Sequence, residues 1–108
     1  MAYDEVLAER IRELLEQTDE VFVPKKMFGG LVFTVRGKTA VGVVGDELLV
    51  RVAPDDTEQV PAQPGVRPFE VRGRISKGWF IVAGEVLDDH VLNDWLQLGC
   101  RAAARASH

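Results

Sequence analysis

Few residues in this chain of 108 have the makings of catalytic groups. Its histidines are His90 and His108, its one cysteine is Cys100, and its serines are Ser76 and Ser107. A nucleophile with its base, or a metal centre, needs several donors converging on one point. This stock is too thin and too scattered, so the expectation is a protein that is not an enzyme and holds no metal or cofactor. His90 stands beside Asp89 and Asp94 at the start of a helical pattern, where a solvated polar face is the preferred reading over a metal ligand. Cys100 reads as a small packing residue, since Arg101 is its only evident positive neighbour. Gly37-Lys38-Thr39 looks like the end of a phosphate-binding loop, but Val32 occupies the position of the required first glycine and the segment reads as a hairpin. The paired carboxylates Asp55-Asp56 and Asp88-Asp89 fall at turns, where caps and loops need them.

Two clusters are better suited to binding. In Lys25-Lys26-Met27-Phe28-Gly29-Gly30, two cations precede an aromatic ring and a glycine pair whose amides can be aimed at an anion. The competing reading has the lysines protecting a strand edge while Met27 and Phe28 fill the core. The second cluster is Arg67, Arg72, Arg74 and Lys77 with Trp79. Strand alternation would send Arg72 and Arg74 to one side, giving a shared face for an acidic partner; ordinary solvated charge is the alternative.

The elements that position these residues follow from periodicity. Val6, Leu7, Ile11, Leu14 and Leu15 recur at helical spacing over residues 3 to 17, and Asp4 and Glu5 favour a helix N-terminus there. Pro24 marks a change of structure. Strands are expected at 31 to 35, 39 to 44 and 47 to 52, joined by short glycine turns that only antiparallel neighbours allow. Gly42 inside the second hints at a bulge or a close backbone approach. Residues 53 to 68 form a proline-punctuated connector with one helical turn at Asp55 to Val60. Sheet resumes at 69 to 72, turns through Gly73 to Gly78, and continues at 79 to 82. Asp88 caps a last helix over 89 to 105, with Leu87 and Leu92 as a hydrophobic staple. Helices at the ends and five or six strands between them predict a two-layer α+β fold, an antiparallel meander sheet with the N- and C-terminal helices packed on it.

Composition agrees with one folded domain over residues 1 to 108, with 46% hydrophobic and 28% charged residues. The start is acidic and lacks the positive, apolar pattern of an export signal. No stretch reaches the roughly 18 apolar residues of a membrane span, and a lone cysteine fits a reducing compartment. A cytoplasmic protein without membrane contact is expected. A net charge of −4 disfavours sequence-independent nucleic-acid binding.

Tyr3-Asp4 opening a helix, Lys26-Met27-Phe28-Gly29-Gly30, the strands ending Leu49-Val50-Arg51-Val52, Gly73-Arg74 followed by Lys77-Gly78-Trp79, and the closing Trp95-Leu96 helix together resemble the TfoX N-terminal domain family over about residues 3 to 105. The resemblance implies a two-layer α+β fold akin to that of secretion chaperones, no known enzyme activity, and a link to regulators of natural competence. Those regulators carry a second, helical C-terminal domain, so the resemblance is to a stand-alone member. It marks Lys26, Phe28, Gly29, Gly30, Arg51, Arg74, Lys77, Gly78 and Trp79 as motif positions without assigning them roles. The leading expectation is a regulatory or protein-binding module, acting on a protein partner or as a homodimer through a sheet edge or helix face. The alternatives are a nucleic-acid accessory protein using the arginine cluster and a small-ligand binder or enzyme at Gly29-Gly30.

Overall fold

The computed structural model describes residues 3–18, 20–27, 29–54, 56, 65–71 and 73–106, and the side chains of Met27, Val71, Ile75, Ser76, Lys77 and Ala106 lie outside that description. Helix α1 spans Glu5–Glu16 and begins as its sequence dictates. The Asp4 carboxylate accepts the free amides of Val6 (2.9 Å) and Leu7 (3.2 Å), which satisfies donors that the first turn leaves without partners. Tyr3 forms a parallel bridge to Gly45, and the Asp4 amide donates to the Gly45 carbonyl, so the helix entry is tied to a sheet turn. Helix α2 spans Asp89–Ala106. Asp88 caps it by accepting the Val91 amide at 2.8 Å, and Leu87 and Leu92 both lie in the main core, as the staple requires.

Between the helices run β1 (Phe22–Met27), β2 (Gly30–Val35), β3 (Lys38–Val44), β4 (Glu47–Arg51), β5 (Val66–Val71) and β6 (Arg74–Val82). They form one antiparallel sheet in the order β1-β2-β3-β4-β6-β5. The first four strands are the expected meander. The chain after β4 then passes to the far edge, forms β5, and returns as β6 to pair with β4.

Three boundaries differ from expectation. Pro24 lies inside β1 instead of before the sheet; it is tolerated because β1 is an outermost strand, where an outward position needs no amide donor. Pro68 is accommodated on the other outermost strand, β5, next to a register shift between Pro68 and Glu70. Val71 pairs directly with Arg74, with Gly73 in the short turn between them, and β6 already includes the stretch to Gly78 that was read as a turn. Arg74 therefore follows a hairpin turn, and the alternation argument that placed it beside Arg72 does not apply. The helical turn expected at Asp55 to Val60 falls largely outside the described residues.

Strand alternation divides the sheet into two faces. Phe33, Val41, Val43, Leu48, Val50 and Val82 point toward the helices and join Leu7, Ile11, Leu15, Leu92, Trp95 and Leu96 in the main core. Helix α2 lies closely against β3: a Cβ on Gly99 would stand 2.5 Å from the Ala40 carbonyl oxygen. In β3, Ala40 is an extra residue facing the junction of Phe33 and Thr34, a bulge that turns it and Val41 to the same side. Asp56, in the connector after β4, is buried against α2, with Arg101 at 3.4 Å and Arg105 at 3.7 Å. Arg10 of α1 donates to the Leu87 carbonyl and to Asp89, which ties the middle of α1 to the start of α2.

Candidate functional site

The sheet face away from the helices has its own small cluster of Val32, Leu49 and Ile81, with half-buried Val44, Phe69 and Trp79 packed against it. Gly42 belongs to this face by alternation. A Cβ there would meet Val32 Cγ1 at 2.7 Å and the Leu31 carbonyl oxygen at 2.9 Å, so the glycine lets Val32 lie across β3. The close approach that the sequence hinted at is this one.

Polar residues of β4 alternate with that apolar centre. Glu47, Leu49 and Arg51 share one side, and each meets a different neighbour. Glu47 receives a two-pronged contact from Arg67 of β5, at 2.6 and 2.7 Å. That hydrogen bond lowers the Glu47 pKa and raises that of Arg67, outweighing the opposing effect of burial on each. Arg51 lies opposite Trp79 in the β4–β6 register, and its guanidinium sits over the indole, 5.6 Å from the ring centroid. Gly78 prepares this meeting. Its backbone has a φ of +80°, its carbonyl accepts the Val52 amide at 2.6 Å, and a Cβ would be 2.9 Å from the Val52 oxygen.

The sequence clusters are redistributed accordingly. Arg67 is neutralised by Glu47. Arg74 is exposed at the start of β6, at the hairpin end, while Arg72 and the Lys77 side chain lie outside the described residues. The adjacent lysines Lys25 and Lys26 are both exposed but alternate in direction: Lys25 pairs with Val32 on the open face, and Lys26 with Leu31 of the helix side. Gly30 is fixed by crowding, since a Cβ there would lie only 2.0 Å from the Val43 carbonyl oxygen. Gly29 is a left-handed turn residue with φ +74°, and Phe28 lies outside the described residues. Gly29, Gly30, Lys26 and Arg74 line neither the hollow beside Asp4 and Arg10, nor the groove along β1 and β2, nor the crevice between the helices.

Two features of the face were missed in the sequence. Val21 and Val23 are 81% and 51% exposed, and with Lys25, Thr34 and Arg36 they line an open groove of about 580 Å³ along β1 and β2. Thr34 is fixed beneath them by donating its hydroxyl to the Val23 carbonyl. The pairing of Arg51 with Trp79 was also missed. Its only sequence signal was Arg51 two residues beyond Leu49 on an alternating strand, because the contact depends on the register between β4 and β6.

Charge is divided between the layers. Lys25, Lys26, Lys38, Arg74 and Lys77 give the strands a net +5, the acids and bases of β4 and β5 cancelling. Helix α1 carries four glutamates against two arginines, a net −2, and α2 is balanced. Of the eight arginines among the described residues, Arg10, Arg12, Arg36, Arg67, Arg101 and Arg105 each have a carboxylate within ion-pair reach. Arg51 and Arg74 have none among the described residues.

On the opposite side, Cys100 borders a small apolar crevice of about 70 Å³ between α1 and α2, and burial pushes its pKa up to about 11. His90 is 87% exposed, 3.7 Å from Asp94. No described helix is long and apolar enough to cross a membrane. No curated protein and no solved structure matches the chain. The model of the TfoX N-terminal domain matches residues 13–103, which take in nearly all of α2, every strand and the end of α1, and the chain belongs to that family.

Proposed function

We propose that this protein is a non-enzymatic regulatory module of the cytoplasm that binds a protein partner, a second copy of itself included, through the open face of its sheet. The observation that carries the reading is the asymmetry of charge: strands that sum to +5, with Lys25 on the open face, backed by an acidic first helix in a molecule of net −4. Such an arrangement orients an acidic partner toward one side and repels it from the other. Exposed Val21 and Val23 on the same face add apolar contact area that a protein surface can cover.

Affinity capture from native lysate tests the reading, with wild type compared to a Lys25→Glu, Arg74→Glu variant of unchanged thermal stability. The expected result is a discrete protein retained by wild type, released by salt, and lost with the variant. Strictly monomeric light scattering at high concentration, together with an empty capture, would rule the reading out.

The basic strands also favour a second reading, a nucleic-acid accessory role. It requires salt-sensitive binding of DNA or RNA oligonucleotides, with log affinity falling linearly against log salt.

A further inference from the structure

We infer that Arg51, held over Trp79, is the residue that reads a carboxylate on the partner, and that the partner presents an acidic side chain next to an apolar one. The inference rests on the protein-binding reading above and names the chemistry of its partner. Arginines in this fold are generally occupied, six of the eight described being beside a carboxylate. Of the two without one, Arg51 is the half-buried residue, with its guanidinium over the Trp79 ring. Glu47, the carboxylate on the same side of β4, is taken by Arg67 in a two-pronged contact and is not available to it.

A guanidinium over an indole face is attracted to the ring without using its N–H donors, whose fork matches a carboxylate. The contact also favours a subset of side-chain conformations and so reduces the freedom that binding would remove. Beside it, half-buried Phe69, Val44 and the rim of Trp79 provide an apolar margin around the buried Leu49 and Ile81. A peptide bearing an acid flanked by an aliphatic or aromatic residue satisfies both features. Single-stranded nucleic acid fits less well, because a molecule of net charge −4 repels a phosphate backbone.

The test is selection of a random peptide library displayed on phage against wild type, Arg51→Met, Arg51→Lys and Arg12→Ala proteins, each first shown to unfold at the wild-type temperature. Wild type and Arg12→Ala, which alters only the exposed side of α1, should enrich sequences with Asp or Glu beside an apolar residue. Synthetic versions of those peptides should bind Arg51→Met at least roughly tenfold more weakly, with Arg51→Lys recovering only part of the loss because an ammonium cannot form the fork. Enrichment of the same peptides by Arg51→Met would overturn the assignment to Arg51 while leaving the binding-module reading intact. Acid-free selected sequences, or no selection at all, would overturn the partner chemistry, and the lysate capture would still judge the module separately. Arg51-dependent binding of oligothymidylate that displaces the selected peptides would also overturn it, in favour of a phosphate ligand.

Discussion

The same strands present two different surfaces, and their alternate residues serve different ends. Toward the helices, Phe33, Val41, Val43, Leu48 and Val50 meet two amphipathic helices and vanish into a continuous core with Ile11, Leu15 and Trp95. Toward the open side, Val32, Leu49 and Ile81 make a thin cluster, flanked by an arginine on an indole and an arginine on a glutamate. One face is closed by long-range apolar packing. The other is assembled from short cross-strand contacts that leave polar groups accessible. A one-residue shift of register would exchange them, so the bulge at Ala40, the turn at Gly73 and the close approach at Gly42 decide which residues are buried and which are presented.

If this division is right, the helix side should be the more sensitive. Trp95→Ala should lower unfolding free energy by about 3–5 kcal/mol in urea titrations, whereas Leu49→Ala should lie near the lower end of the roughly 2–5 kcal/mol range for aliphatic truncation. Equal losses would mean that the open side is a second full core. The helix side should also be chemically quiet. With its pKa raised from 9.0 to about 11, Cys100 should react with iodoacetamide at pH 8 roughly a hundredfold more slowly than a free thiol, and urea unfolding should abolish the difference.

A smaller effect tests how the open side is packed. Gly42→Ala places a methyl group against Val32 and the Leu31 carbonyl and should destabilise by about 1–3 kcal/mol. Gly42→Ala combined with Val32→Ala should recover part of that loss if the side-chain contact dominates, and none if the carbonyl does. The smallest effect is electrostatic. Arg67 and Glu47 are 55% and 28% exposed, so water screens the pair and Arg67→Met should cost less than about 1 kcal/mol at pH 7. Because the Arg67 hydrogen bond holds the Glu47 pKa below its ordinary 4.5, this contribution is complete above that value. It is lost as the pH falls through the lowered pKa, where the unfolding curves of wild type and variant should converge.

Local sequence signals were sufficient for the helices and for the middle of the sheet. The apolar spacing of Leu7, Ile11 and Leu15, the caps at Asp4 and Asp88, and the short glycine turns between β2, β3 and β4 are all read within a few residues. The outer strands were harder. Pro24 and Pro68 suppress the strand signal because the rule that excludes proline applies to inner strands, and Gly78 made half of β6 look like a turn. The site was legible as composition but not as geometry. Trp79 was paired in sequence with its near neighbours Arg72, Arg74 and Lys77, while in space the cation over its ring is Arg51, brought there by the β4–β6 pairing. No local pattern encodes that register; it follows from the chain passing to the far edge before β5 and β6 form.

The prolines of β1 and β5 have a wider implication. Each removes one hydrogen-bond donor from a strand that has a neighbour on only one side, and a seventh strand arriving at either margin would find a gap in the ladder. Both margins of the sheet are thereby poor templates for strand addition, the step by which edge-to-edge fibres would grow.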